Sequence, residues 1–171
     1  RITIGATVAV MRGIRQVTGL SPAVKWPNDV RVDGRKVSGI LVETAVQDNE
    51  VRHAILGIGI NVNADPSAQL EPSYQATCLA AEVGQDVPRD ALLQAVLEEL
   101  GMVYAELQGW GYTWEEWQAT MDTLTKKIRV QWGDHVEEGI ALGVDGEGNL
   151  MIRRQDGSIV TMSAGEVTLQ V

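Results

Sequence analysis

Apolar residues at Ile4, Val8, Met11 and Ile14 recur at helical spacing, which predicts a helix over residues 1–17. Gly19 supplies a C-terminal stop, and Pro22 follows. From Ala23 the period shortens to two. Val24 and Trp26 lead into a Pro-Asn turn, and Val30-Arg31-Val32 alternates as a short strand. Asp33-Gly34 then predicts a hairpin, because both positions tolerate positive φ. The return strand runs from Val37 to Val46, Asn49 marks another turn, and Val51 to Val62 reads as a long strand. Strict alternation on the return strand puts Lys36 and Ser38 on one face, Val37 and Gly39 on the other.

Residues 64–74 read as a loop with two prolines, and helices resume at Ala76. Pro88 fits the first turn of a helix whose apolar face is Leu92, Val96, Leu100, Val103 and Leu107. A further helix over residues 113–124 turns Trp114 and Trp117 inward. The tail changes character. Ile128–Val130, Val136–Leu142, Leu150–Arg153 and Ile159–Met162 are short strands. Turn signals lie between them at Gly133-Asp134, Asp145 to Asn149, and Asp156-Gly157, the pattern of a small β-barrel. The expected class is α+β: a domain over residues 1–125, with a mixed or antiparallel sheet and packed helices, then a small β-barrel domain over 126–171.

Composition narrows the function classes. The chain has 171 residues, 44% hydrophobic and 22% charged, as in a globular protein. Its longest apolar run, Ala54 to Ile60, is a strand's length, and no signal peptide or membrane span is expected. A net charge of −9 argues against a broad nucleic-acid footprint and fits a cytoplasmic protein. The first residue is Arg1, not Met, so the natural start is expected upstream. The single cysteine, Cys78, excludes an intrachain disulfide and a cysteine metal cluster, and its neighbours Leu79 to Ala81 suggest a buried structural thiol. No protein metal site is expected.

Two clusters carry candidate chemistry. Around the hairpin, Asn28 and Asp29 precede one strand, while Arg35 and Lys36 open the other and Gly39 follows. A lysine beside bare backbone suits an anion or a polarised carbonyl, although the residues alone favour a solvated basic hairpin. In the next strand, Gly57 and Gly59 strip one face of side chains, and Asn61 and Asn63 continue that face. A flat ring or chain could lie there, or a helix could pack closely. His53 and His135 are isolated and read as surface histidines.

KWPND, GRKVSGILVE and GIGINVN, in this order, resemble the central motifs of biotin protein ligases. The tail, with GDHVEEGIALGVDGEGNLMIRR and SAGEVTLQV, resembles their SH3-like C-terminal domain. The resemblance implies that biotin and ATP, with Mg²⁺, give biotinoyl-AMP, which then acylates a lysine of a biotin carboxyl carrier protein. Lys36 would be catalytic and contact the biotin carboxyl and the phosphate, with Asp29 as a positioning acid. Gly39, Gly57 and Gly59 would border biotin. Asn28, Arg35 and Asn61 would lie on the ATP side. The family's Gly- and Arg-rich loop and first strands do not occur in these residues, so a partial catalytic domain with weak or no activity of its own is expected. A homodimer through an exposed sheet edge is the accompanying expectation. A lipoate-type acyl ligase and a non-catalytic interaction module are the alternatives, and the SH3-like tail favours the biotin branch.

Overall fold

The computed structural model describes residues 1–48, 50–66, 75–106 and 112–170. The turn expected at Asn49, most of the loop over residues 64–74, and Leu107 lie outside them. The first helix, α1 (Ile2–Thr18), buries Ile4, Val8, Met11 and Ile14 on one face. It ends where Gly19 turns left-handed at φ 72° and donates its N–H to the Arg15 carbonyl. At Gly13 the helix meets α3 (Arg89–Glu106) closely, since a Cβ there would lie 2.7 Å from Val96 Cγ2.

Four antiparallel strands form the first sheet, in the order β1 (Ala23–Lys25), β2 (Asp29–Val32), β3 (Arg35–Gln47), β4 (Glu50–Ile60). The Asp33-Gly34 turn joins β2 to β3 with φ of 46° and 77° at its two residues, as the sequence requires. One face of the sheet carries Val24, Val30, Ile40, Val42, Leu56, Ile58 and Ile60, which pack into the core with α1 and α3. The opposite face of β4 presents Ile55, Gly57 and Gly59 outward. This one-sided burial produces the alternation along β4.

Two helices differ from their expected bounds for the same reason. The helix expected from Ala76 begins only at α2 (Leu79–Val83). Before it, Lys36 donates its N–H to Gln75 O and accepts the Thr77 N–H, so residues 75–77 run beside the start of β3. The helix expected over residues 113–124 is α4 (Tyr112–Ala119). Its continuation leaves the helix so that Val24 N–H can bond Thr120 O and Asp122 N–H can bond Val24 O beside β1. In both cases a sheet edge satisfies its backbone groups with a neighbouring segment, which outweighs local helix preference. Trp117 is buried and Trp114 half-buried, with ring centroids 5.5 Å apart.

The C-terminal part is a small SH3-like antiparallel barrel. Its strands are β5 (Lys127–Trp132), β6 (His135–Val144), β7 (Leu150–Arg153), β8 (Ile159–Met162) and β9 (Glu166–Leu169), ordered β8-β7-β6-β5-β9. Ile128, Val130, Ala141, Leu150, Ile152 and Val167 fill its interior. The strand β9 pairs with β5, and pairing within four residues of tail is what sequence alternation does not reveal. Trp26, 1% exposed, ties the first sheet to this barrel. Its indole N–H donates to Gly148 O at 2.9 Å, and its backbone N–H donates to Thr123 Oγ1 at 2.9 Å. No helix among the described residues is long and apolar enough to cross a membrane.

Candidate functional site

The hairpin β2–β3 is not regular. Pairing steps from Val30↔Ser38 to Arg31↔Lys36, so Val37 is left over as a bulge. The bulge overturns the strict alternation expected here. It brings Lys36 to the same face as Gly39, and leaves Ser38 buried. Lys36 Nζ then lies 2.5 Å from Asp29 Oδ1. Asp29 is the direct cross-strand neighbour of Gly39. A Cβ at Gly39 would stand 3.2 Å from both Lys36 Cε and Nζ, and 3.7 Å from Asp29 Oδ1. The ion pair therefore lies across the bare backbone of Gly39, where a Cβ would press on the end of the Lys36 side chain.

The bare surface continues into β4. Gly59 pairs with Gly39, and Gly57 pairs with Leu41. A Cβ at Gly59 would meet nothing within 4 Å, and one at Gly57 would meet only Leu41, at 3.7 Å or more. Close packing of a helix is thus not what these glycines serve among the described residues. They clear the floor of an open cleft of about 580 Å³, lined by Asn28, Asp29, Lys36, Gly39, Leu41, Gly57 and Gly59. Leu41, 63% exposed, gives that floor an apolar patch. Asn28 is fixed at the rim, its Nδ2 donating to Ile40 O at 2.5 Å. The cleft thus pairs a cation and a carboxylate with a flat, partly apolar surface.

Not all expected site residues meet there. Arg35 turns away and pairs with Glu82 at 2.8 Å, and the other carboxylate oxygen of Glu82 accepts the Thr77 hydroxyl at 2.5 Å. Asn61 follows the end of β4, where its N–H bonds Val37 O at 2.8 Å and its Nδ2 bonds Thr77 O at 3.1 Å. Asn63 does not continue the glycine face either, because its amide group exchanges two hydrogen bonds with the Val87 backbone. Cys78 is free and buried, just before α2. His53 and His135 are both exposed.

The structure adds charged groups that sequence reasoning passed over. Lys25 is the cross-strand partner of Asp29. Burial holds its ammonium below the usual lysine range, with Asp29 opposing that shift. Arg31, 8% exposed, pairs with Asp122 at 3.3 Å. Burial pushes the Asp122 carboxyl up, and Arg31 partly offsets this. Lys25 stood in plain sight in KWPND, but its position depends on β1 being a paired strand, and three residues carry no periodicity.

Comparison with known proteins agrees with this geometry. Residues 2–61 match the biotin/lipoate A/B protein ligase family, and residues 123–169 match the biotin protein ligase C terminal domain. The bifunctional ligase/repressor BirA of Bacillus subtilis is 32% identical over 163 residues, covering 92% of this chain and 49% of that protein. The biotin–[acetyl-CoA-carboxylase] ligase of Paracoccus denitrificans is 31% identical over 146 residues, covering 83% of this chain and 61% of that protein. The chain thus spans about half to three fifths of the length of these curated relatives. The solved biotin protein ligase of Aquifex aeolicus superposes with a TM-score of 0.81 at 25% identity, over 99% of this chain and 73% of that one. The first match contains the whole glycine-floored cleft and the second the whole barrel, in one continuous polypeptide. On this evidence the chain belongs to the biotin protein ligase family.

Proposed function

We propose that this protein joins biotin to a lysine of a biotin carboxyl carrier protein in two steps at the cleft above β3 and β4. In the first, a biotin carboxylate oxygen attacks the α-phosphorus of ATP, and pyrophosphate leaves. In the second, the carrier lysine amine attacks the acyl carbon of biotinoyl-AMP, giving an amide, AMP and a proton. The observation that carries this reading is the Lys36–Asp29 pair laid over Gly39, beside the cleared backbone of Gly57 and Gly59.

Each residue has a physical role in it. The Lys36 ammonium stabilises negative charge that collects on the carboxylate and α-phosphate oxygens as they approach. Asp29 holds that ammonium over the cleft and presents a carboxylate toward which an incoming amine can be drawn. The glycines let a ring and its chain lie flat, with Leu41 offering apolar contact. Asn28 lies at the rim on the nucleotide side. Arg35 and Asn61, both clustered around Thr77, are proposed to border the nucleotide from the start of β3.

Mg²⁺ enters as the partner of the polyphosphate. Among the described residues no group of three or more His, Cys, Asp or Glu side chains could hold a metal. Such an ion keeps most of its ligands as water and phosphate oxygen and needs only one or two carboxylates. Asp29 is paired with Lys36, so such an ion would be held at the cleft chiefly by phosphate oxygens and water. The division into a ligase domain over 1–125 and a barrel over 126–171 is part of the same proposal, as are a cytoplasmic location and self-association through the outer edge of β4. The match of the tail to the biotin branch of the family favours biotin over lipoate.

The test is biotin-dependent exchange of labelled pyrophosphate into ATP by a protein in which the family's Gly- and Arg-rich loop precedes these residues, since weak or no exchange is expected of residues 1–171 alone. Exchange is expected with biotin and not with lipoate. No exchange with either acid, or equal exchange with both, would refute the reading.

A further inference from the structure

The last residue of β1, Lys25, rises from the same sheet face as Asp29, because the two are direct cross-strand partners. It is half-buried, and the charges that act on it are Asp29, Arg31, Glu166 and Lys36. Among the described residues no carboxylate comes within the 4.0 Å of an ion pair with it. Asp29 is occupied by Lys36, and Arg31 is answered by Asp122. Asp29, the ion-pair partner of Lys36, is thus also the cross-strand neighbour of Lys25, in a chain whose net charge is −9. A lysine withdrawn from water without a counter-charge is destabilising unless an anion completes its surroundings. Perturbed, uncompensated groups of this kind concentrate at functional sites.

We propose that Lys25 is a polyphosphate-binding residue, its ammonium taking the terminal phosphate oxygens of ATP and of the pyrophosphate that leaves, next to Lys36. The assignment rests on the adenylation reading and deepens it. Lys36 faces the atoms that react. Lys25 lies one strand further out, on the line from Gly39 through Asp29 toward the barrel. In the proposed arrangement, a triphosphate whose α-phosphate sits at Lys36 would extend in that direction. Charge moves onto pyrophosphate as it departs, and a second cation there lowers the cost of that movement without taking part in any covalent step. A mobile amine on a flexible stem suits a ligand that must leave after each turnover.

The competing role is structural: Lys25 could hold the barrel through Glu166. Calorimetric titration separates the two, with inorganic pyrophosphate as one probe and AMP as the other. Lys25→Met is expected to weaken pyrophosphate binding about 10-fold or more, the size of a lost charge-assisted contact, and to leave AMP affinity within about threefold. Lys25→Arg should retain most of the affinity, and Lys25→Gln serves if the methionine variant fails to fold. Glu166→Gln should leave pyrophosphate binding unchanged or tighten it. Equal pyrophosphate affinity in wild type and Lys25→Met overturns the proposal, and so does a Glu166→Gln variant that reproduces the loss, or a wild type that binds no pyrophosphate. The two readings fail separately. Pyrophosphate binding through Lys25 in a protein that forms no biotin adenylate sinks the proposed reaction and keeps this site. Adenylate formation with unaltered pyrophosphate binding in Lys25→Met does the reverse.

Discussion

Lys36→Ala is expected to slow adenylate formation by about 10²–10³-fold, the usual effect of removing one well-placed group that stabilises developing charge. Lys36 Nζ is the cation held over the glycine floor, at 2.5 Å from Asp29 and at the very position that a Cβ on Gly39 would crowd. Truncation at Cβ removes the ammonium from the reacting atoms and leaves Asp29 without its ion-pair partner. Both changes oppose the reaction. Lys36→Arg should restore little, because a planar guanidinium is bulkier and cannot occupy the narrow gap between Gly39 and Asp29. The fold should be largely indifferent. The side chain is about a quarter exposed, and exposed or partly exposed ion pairs contribute little to stability. The measurement is single-turnover formation of the acyl-adenylate, beside a thermal midpoint for each variant. A rate within threefold of wild type, with the midpoint unchanged, would refute the role given to Lys36.

The long elements and the glycine pattern were legible because each rests on local chemistry. Asp33-Gly34 demanded its turn, and α1 carried four apolar residues at helical spacing and a left-handed glycine after them. The cleft was legible only in part. Gly57 and Gly59 announced a bare face, but the residues could not say whether a helix filled it, and the open space above Gly59 decides that point. The partnership of Lys36 with Gly39 was hidden because a one-residue bulge at Val37 reverses the side-chain alternation, and nothing in the letters GRKVSG marks where a bulge falls. The shortened helices were hidden for a different reason. Residues 75–77 and 120–122 have helical surroundings in sequence but satisfy the edges of β3 and β1 in space. Lys25 and Asp122 acquire their meaning from those same non-local pairings.

Trp26→Ala should have the largest effect on stability of any single change in the KWPND segment. Trp26 is among the largest fully buried side chains, 1% exposed, and it stands where the first sheet meets the barrel. Truncating a buried tryptophan costs about 3–5 kcal/mol through lost burial and the cavity left behind. The indole hydrogen bond to Gly148 O goes with it, a further contribution of about 1 kcal/mol. Against a total stability of about 5–15 kcal/mol, that is a major share. At roughly 2–4 °C for each kcal/mol in a chain of this size, the midpoint should fall by about 10 °C or more. Collapse of the surroundings is resisted on the barrel side, since Gly148 sits at φ 88° and a Cβ there would already lie 3.0 Å from Ile4 Cδ1. Trp26→Phe keeps an aromatic ring and loses the N–H, so it should retain most of the stability. Urea unfolding, followed by the fluorescence of the remaining tryptophans, measures both variants. A Trp26→Ala protein within 1 kcal/mol of wild type, by the usual scale for surface substitutions, would show that the barrel is held by other contacts. The expected loss reaches the chemistry as well. Pro27 and Asn28 alone separate Trp26 from Asp29, so loosening the indole loosens the carboxylate that positions Lys36. The temperature at which adenylate formation fails in Trp26→Ala should therefore lie below the unfolding midpoint, whereas a purely global effect would make the two coincide.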